Sequence, residues 1–362
     1  MATAIGLTTS AALGQTKDAV QFVSSPQGMS QVLRVNSRGD FLGAKEVSQD
    51  TVLAQEPFVQ LADSPLPLPF PKFDGYSNLE PHALSDQRHV VGMISRSQRG
   101  AGRMRGFVWD IAESKQELLD FPATFNASSA TDISADGQRI AGHCVGADPP
   151  RIIPCVWEKS EGAWQVNLLP VDANENTLLP IGRTVISSNG QFVAACTTVA
   201  NSENEFGVRA HELSLWHYVD GTWQRKSLAS FACRLGDVND HGAVAGSRKA
   251  QNGKQQAIVV DASGQLIDLD RLPGDVTNEA LGINNQQTVI GYSDDPAGPN
   301  GGPQAFVWHA NQIHELDLGE DVAFSYAQSL AENGRVGGYA TRITPDGQAS
   351  TDGFLMQLSL EP

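Results

Sequence analysis

The chain has 362 residues and a formal net charge of −16, from 41 Asp and Glu against 25 Lys and Arg. Such a chain repels phosphate backbones, which argues against nucleic acid as a partner, and no stretch reaches the roughly 18 to 20 apolar residues of a membrane helix. The length exceeds what one core usually supports, so it implies either two domains or a repeat in which each unit adds its own layer.

The opening "MATAIGLTTSAALGQTKD" is small and weakly apolar, with an "AALGQ" that resembles a signal-peptidase site but no basic start. Residues 1–17 are read as a flexible start or signal-peptide remnant, and a secreted or periplasmic location is expected. Residues 18–362 are read as one domain. After a short "AVQFVS" run at Ala19 to Ser24, a turn-and-strand phrase appears and then recurs. Its seven copies are "VNSRGDFLGA" from Val35, "LSDQRHVVGM" from Leu84, "ISADGQRIAGH" from Ile133, "ISSNGQFVAAC" from Ile186, "VNDHGAVAGS" from Val238, "INNQQTVIGY" from Ile283 and "LAENGRVGGY" from Leu330. A small residue closes each: Gly43, Gly92, Gly142, Ala195, Gly246, Gly291 and Gly338, at intervals of 49, 50, 53, 51, 45 and 47.

A second element follows each copy, as in "GFVWD" at 106, "PCVWE" at 154, "LSLWH" at 213 and "AFVWH" at 305. These four place Trp109, Trp157, Trp216 and Trp308 at one point of the unit. A weaker run comes next, as in "QELLDF" and "IHELDL". Short β-branched and aromatic runs between Asn-Gly or Asp-Gly turns are strands. Four strands per unit at this spacing predict an all-β fold, a seven-bladed β-propeller with four antiparallel strands per blade. The last unit lacks a fourth strand, and Ala19 to Ser24 is placed to supply it and close the ring, leaving no open edge.

The segment "QAFVWHANQIHELDLGEDVAFSYAQSLAENGRVGGYA", residues 304–340, resembles the bacterial extracellular HAF repeat, which alternates an "AFLW…G…DLG" phrase with an "A…IN..G.VVG" phrase. The resemblance covers most of the chain. It departs from the pattern at Ala195 and in the first and fifth units, where the "AFVW" phrase is lost. It implies a secreted bacterial propeller and brings no catalytic residues with it.

Four cysteines occur without a C-x-x-C pair, which disfavours a zinc or thioredoxin-type site. Cys144 and Cys155 fall on neighbouring strands of one unit. They form a disulfide if the register brings their Cβ atoms to about 4 Å, and are buried thiols otherwise. Cys196 and Cys233 have no evident partner and are read as core residues. No nucleophile elbow, dinucleotide-binding or phosphate-loop signature is present, and no cofactor or metal is expected. "HELSL" at 211 lacks the second histidine of a zincin, "SRGD" at 37 fills the repeated turn, and Asn126 heads a glycosylation sequon.

In a propeller the first strand of every blade lines the channel, and ligands generally meet the loops beside its start. Polar residues there are not demanded by the repeat. They are Arg34, Glu80, His82, Asp132, Arg183, Arg234, Asp237, Glu279, Tyr326 and Gln328. His82 with Asp132 or Glu80 is a candidate acid/base pair. Two loops exceed the repeat's needs. "PLPLPFPKFDGYSNLE" at 65–80 carries Phe70, Phe73 and Tyr76, which could stack on a sugar ring or fold over the first blade. "RSQRGAGRMR" gathers Arg96, Arg99, Arg103 and Arg105. The expectation is a monomeric binding or scaffolding propeller that presents a polar channel face to a glycan, a small polar ligand or a protein. The alternative is a hydrolase or lyase acting on an anionic substrate at the channel mouth.

Overall fold

The computed structural model describes residues 20–25, 28–49, 52–96, 104–147, 150–171, 183–198, 211–231, 233–295, 301–344 and 346–359. Within them every regular element is a strand, and the strands form seven four-stranded antiparallel sheets arranged as a seven-bladed propeller. Six sheets run in chain order, as in blade two with Asn78–Leu84, His89–Ser95, Met104–Asp110 and Lys115–Leu118. The seventh combines Val322–Leu330, Arg335–Ile343 and Ala349–Gln357 with Gln21–Val23 as its outer strand. The register is Gln21↔Leu355, Phe22↔Phe354 and Val23↔Gly353, as the N-terminal run led us to expect. Blade one is then held to blade seven by Gly353 N donating to Ser30 Oγ (3.1 Å) and Val35 N to Ser329 Oγ (3.1 Å).

The repeated turn has a common chemistry. Asn36 Oδ1 accepts from Arg38 N (3.1 Å) and Asp40 N (2.9 Å), and Asn284 Oδ1 accepts from Gln286 N (3.1 Å) and Thr288 N (3.0 Å). A side-chain oxygen thus replaces the backbone acceptor that a tight turn lacks. The fourth residue of each turn is left-handed: a glycine in five blades, Arg88 (φ 64°) in blade two and Gln287 (φ 57°) in blade six. Arg88 is strained there, but its guanidinium reaches across to blade one, with Nε 3.0 Å from the fully buried Asp40 and Nη2 2.9 Å from Asp63.

The turns are also tied to one another in a closed belt. Ser37 N donates to Asp86 Oδ1 (2.8 Å), Asp86 N to Ala135 O (3.1 Å) and Ala135 N to Ser188 O (2.9 Å). Asn189 N donates to Asp240 Oδ1 (2.7 Å), Asp240 N to Asn285 Oδ1 (2.8 Å) and Asn285 N to Glu332 Oε2 (2.9 Å). Asn333 Nδ2 completes the circuit on Ser37 O (2.9 Å). Each blade therefore satisfies backbone groups of its neighbour.

The closing glycine is required by a bulge. In blades one, two, three, five, six and seven the first strand slips register at an equivalent point, as between Val32 and Arg34 or Ala280 and Gly282, and blade seven slips a second time between Val322 and Phe324. The slip drives a first-strand carbonyl toward the second strand. A Cβ on Gly291 would lie 1.9 Å from Glu279 O, and one on Gly142 2.0 Å from Ser129 O. Blade four carries Ala195 instead, and its first strand is described as Val185–Ile186 alone.

The repeated tryptophans fill the seams between blades. Trp157 Nε1 donates to Asp120 O (2.6 Å) and Trp216 Nε1 to Pro170 O (2.8 Å), so each indole is buried with its N–H satisfied by the preceding blade. Of the two states left open for Cys144 and Cys155, the structure holds free thiols, with Sγ atoms 2.7 Å apart. The register sets Cys144 opposite Ile153 and Cys155 opposite Gly142, a diagonal rather than a facing pair. The reading of Cys196 and Cys233 as unpartnered core residues is corrected. They are bonded to each other, Cα to Cα 6.2 Å, across the seam between blades four and five.

Candidate functional site

The bulge divides the channel strand of six blades into two halves, and it divides the sequence-predicted site residues with it. Before the bulge stand Glu80, Arg234, Glu279 and Tyr326, each facing a second-strand residue: Glu80↔Met93, Arg234↔Ser247, Glu279↔Tyr292 and Tyr326↔Tyr339. His82 and Gln328 are themselves the inserted residues. Arg34, Asp132 and Asp237 follow the bulge and belong to the hairpin-turn end of the channel. The expectation that all ten share the loop side is therefore corrected, because Arg34, Asp132 and Asp237 stand three positions further along their strands than Glu80, Arg234, Glu279 and Tyr326 do.

At the hairpin-turn end the polar groups join blades. Asp132 accepts from Ile133 N through Oδ1 (3.0 Å) and from Ile186 N of blade four through Oδ2 (3.0 Å). Asp237 accepts likewise from Val238 N (2.8 Å) and from Ile283 N of blade six. Arg34 donates to Leu33 O (2.6 Å) and lies in the field of both aspartates. Burial pushes Asp132 and Asp237 up to about 7, against the pull of the backbone donors and Arg34, and the charge on Asp237 adds to the rise at Asp132. Burial raises Glu332 to about 7 as well. A polar cavity of about 100 Å³ lies here, lined by Arg34, Asp132, Asp237, Gln328 and Glu332 among others. Its acids are structural clamps between strands.

The loop side is different in kind. Arg183, Arg234, Leu235, Ser247, Glu279 and Leu281 line a cavity of about 490 Å³ across blades four, five and six. Arg234 Nη1 is 2.9 Å from Glu279 Oε1, with the arginine side chain 65% exposed and the glutamate 11%. Arg183 lies between the two cavities, since it also lines the hairpin-turn one, where its Nη2 is 3.8 Å from Asp132 Oδ2, and its Nε is buried with no acceptor among the described residues. Glu279 is also hydrogen-bonded to the Tyr292 hydroxyl. The Tyr292 and Tyr326 rings are 4.7 Å apart, and Tyr326 stacks on Tyr339 at 4.8 Å. Burial holds all three phenols above their ordinary range, Tyr339 at about 12, so they remain neutral hydroxyls at physiological pH. Cys233, immediately before Arg234, is bonded to Cys196 and fixes the start of that strand to blade four.

The acid/base pair expected at His82 is not assembled. The His82 ring meets Ala130 O of blade three through Nδ1 (2.7 Å), and burial lowers its basicity. Neither Asp132 nor Glu80 is its hydrogen-bond partner among the described residues. His143 lies close enough to add repulsion, and burial brings it down to about 4. Among the described residues no group of three or more His, Cys, Asp or Glu is placed to hold a metal ion.

Other sequence features resolve into structure. Asp40 of the "RGD" is fully buried, and Ser128 of the sequon is buried with its Oγ accepting from Gly106 N (3.0 Å). "HELSL" begins the strand His211–Val219. In the proline-rich loop Leu68–Pro69 forms the edge strand of blade one. Phe70 packs 5.1 Å from Trp109, Phe73 packs 5.0 Å from Phe107, and Arg96 covers Tyr76 at 5.2 Å. These rings fold over the blade. Arg99 and Arg103 lie outside the described residues, and Arg105 pairs with Asp120 (2.8 Å). Sequence reasoning missed Ser247, Tyr292 and Tyr339. Each follows a closing glycine in the repeat, a signal open to anyone who also reads the second strand.

No family model and no curated protein matches the chain. Solved structures share its fold. The β-propeller domain of the Trilobed protease from Pyrococcus furiosus, an open velcro propeller, superposes with a TM-score of 0.58 at 8% identity over 93% of this chain and 97% of that one. Dipeptidyl peptidase 4 of Porphyromonas gingivalis gives 0.51 at 12% identity over 88% and 51%, and a Pyrococcus horikoshii acylaminoacyl peptidase gives 0.55 at 10% over 91% and 52%. The chain spans about half the length of these two peptidases. At such identities the likeness is one of fold.

Proposed function

We propose that the protein is a secreted ligand-binding propeller that takes a small anionic ligand at the loop side of its channel. The observation that carries this reading is the convergence of Arg183 and Arg234, from different blades, on one cavity of about 490 Å³ in a chain of net charge −16. The blade repeat needs neither arginine, since the positions matching Arg183 hold Val32, Pro81, Ala130, Leu235, Ala280 and Ala327, and those matching Arg234 include Gln31, Glu80, Ser129, Glu279 and Tyr326. Guanidinium groups hold carboxylate or phosphate in a two-point fork. The Cys196–Cys233 bond supports an oxidising compartment.

The test is calorimetric titration of the full chain with a panel of small carboxylates and inorganic phosphate. Replacing Arg183 or Arg234 by Ala should cost about 1.5 to 3 kcal/mol for each charged hydrogen bond removed, and added salt should weaken binding. A ligand mapped to the hairpin-turn end or the outer rim, or one indifferent to both substitutions, refutes the reading.

A further inference from the structure

On the reading that this mouth binds an anion, we infer that the ligand is an acidic sugar, its carboxylate on Arg234 and Arg183 and its ring along the tyrosines of blades six and seven. The channel residue two positions before the inserted one, with its facing partner, occupies one equivalent place in blades one, two, three, five, six and seven. In blades five, six and seven that place holds Arg234 with Ser247, Glu279 with Tyr292, and Tyr326 with Tyr339. In blades one, two and three it holds Gln31 with Ala44, Glu80 with Met93, and Ser129 with His143. Cation, acceptor and aromatic faces therefore follow one another round a single arc, and blades one, two and three hold no such series at the equivalent place.

The contacts along the arc are continuous. Arg234 meets Glu279 at 2.9 Å, Glu279 takes the Tyr292 hydroxyl, and the tyrosine rings follow at 4.7 and 4.8 Å. Each part selects a different feature of the ligand. The guanidiniums select a carboxylate. Glu279 is acceptor-only with lone pairs to spare, so it takes hydroxyl protons and repels a second anion. The tyrosines present flat amphipathic faces with neutral hydroxyls at the edge. An aliphatic acid uses the first part alone. An aromatic acid uses the first and third and offers Glu279 no donor. A ring that carries both a carboxylate and hydroxyls uses all three.

The experiment titrates the full chain with trigalacturonate, its fully methyl-esterified form, acetate and benzoate. Trigalacturonate should bind at least tenfold more tightly than the other three. Arg234→Ala should weaken it at least tenfold. Tyr326→Ala should weaken it at least fivefold and leave acetate unchanged. Melting curves report folding of each variant, and Tyr339→Ala makes the same comparison if Tyr326→Ala melts early. If acetate or benzoate binds as tightly as trigalacturonate, and Arg234→Ala abolishes that binding, the sugar is overturned and the anion site stands. If no anion binds, or the ester binds as tightly as the acid, both fall.

Discussion

Cys196 of blade four is bonded to Cys233 of blade five, one residue before Arg234, so the seam beneath the loop-side cavity is closed covalently. The two residues are 37 positions apart in the chain. A crosslink of that span restricts the unfolded chain and stabilises by about 2–4 kcal/mol. Cys233→Ser should lose that amount in urea unfolding. Reductant should bring the parent down to the variant and leave the variant where it was. Equal stability of parent and variant under oxidising conditions counts against the bond.

Gly291 shows why the repeat closes on glycine. Gly291→Ala would set a methyl group 1.9 Å from Glu279 O, forcing the two strands apart at the bulge. The expected cost is about 1–3 kcal/mol, as for an overpacked core. Ala195→Gly in blade four should cost only about 0.5–1 kcal/mol, from chain entropy. Denaturant midpoints decide between them, and Gly291→Ala within error of the parent sinks the account.

The outer strand Gln21–Val23 covers the edge of Ala349–Gln357, and Phe22, partly buried, packs against the blade-seven core with Arg342 4.3 Å over its ring. A chain that begins at Ser25 exposes that edge and loses part of this burial. Relative to a chain that begins at Val20, it should lose about 2 kcal/mol and a few degrees of melting temperature. It should also aggregate more readily. Identical melting of the two chains would show that the latch adds no stability.

Asp132 and Asp237 set a pH dependence. Their folded values, about 7, exceed the unfolded value near 3.9. The folded state thus holds protons that the unfolded chain has released between about pH 4 and 7. The stability they contribute is full below pH 4 and is lost as pH rises toward 7. Asp40 runs the other way, because Arg88 and its other donors hold it below the usual range. The double variant Asp132→Asn, Asp237→Asn isolates the first effect. It should be less stable than the parent at acid pH, and its stability should fall less steeply from pH 4 to 7. Parallel pH profiles for parent and variant defeat the prediction.

The blade number, the four-strand unit and the closure by residues near Ala19 to Ser24 were all legible in the chain. Turn chemistry and strand alternation act over a few residues, so Asn284 and Gly291 announce a turn and a tight strand crossing wherever they recur. The distribution of the site was not legible. Which face the side chains take on either side of the bulge depends on the one-residue slip between Ala130 and Asp132 or Leu235 and Asp237, which resets the alternation that residue order implies. Cys196 found Cys233, and Arg183 came to the same cavity as Arg234, because neighbouring blades pack face to face. His82 turned to the Ala130 carbonyl for the same reason. Local chemistry wrote the repeat, while contacts between blades, joining residues 37 positions apart at Cys196 and Cys233 and 48 apart at His82 and Ala130, settled which side chains meet.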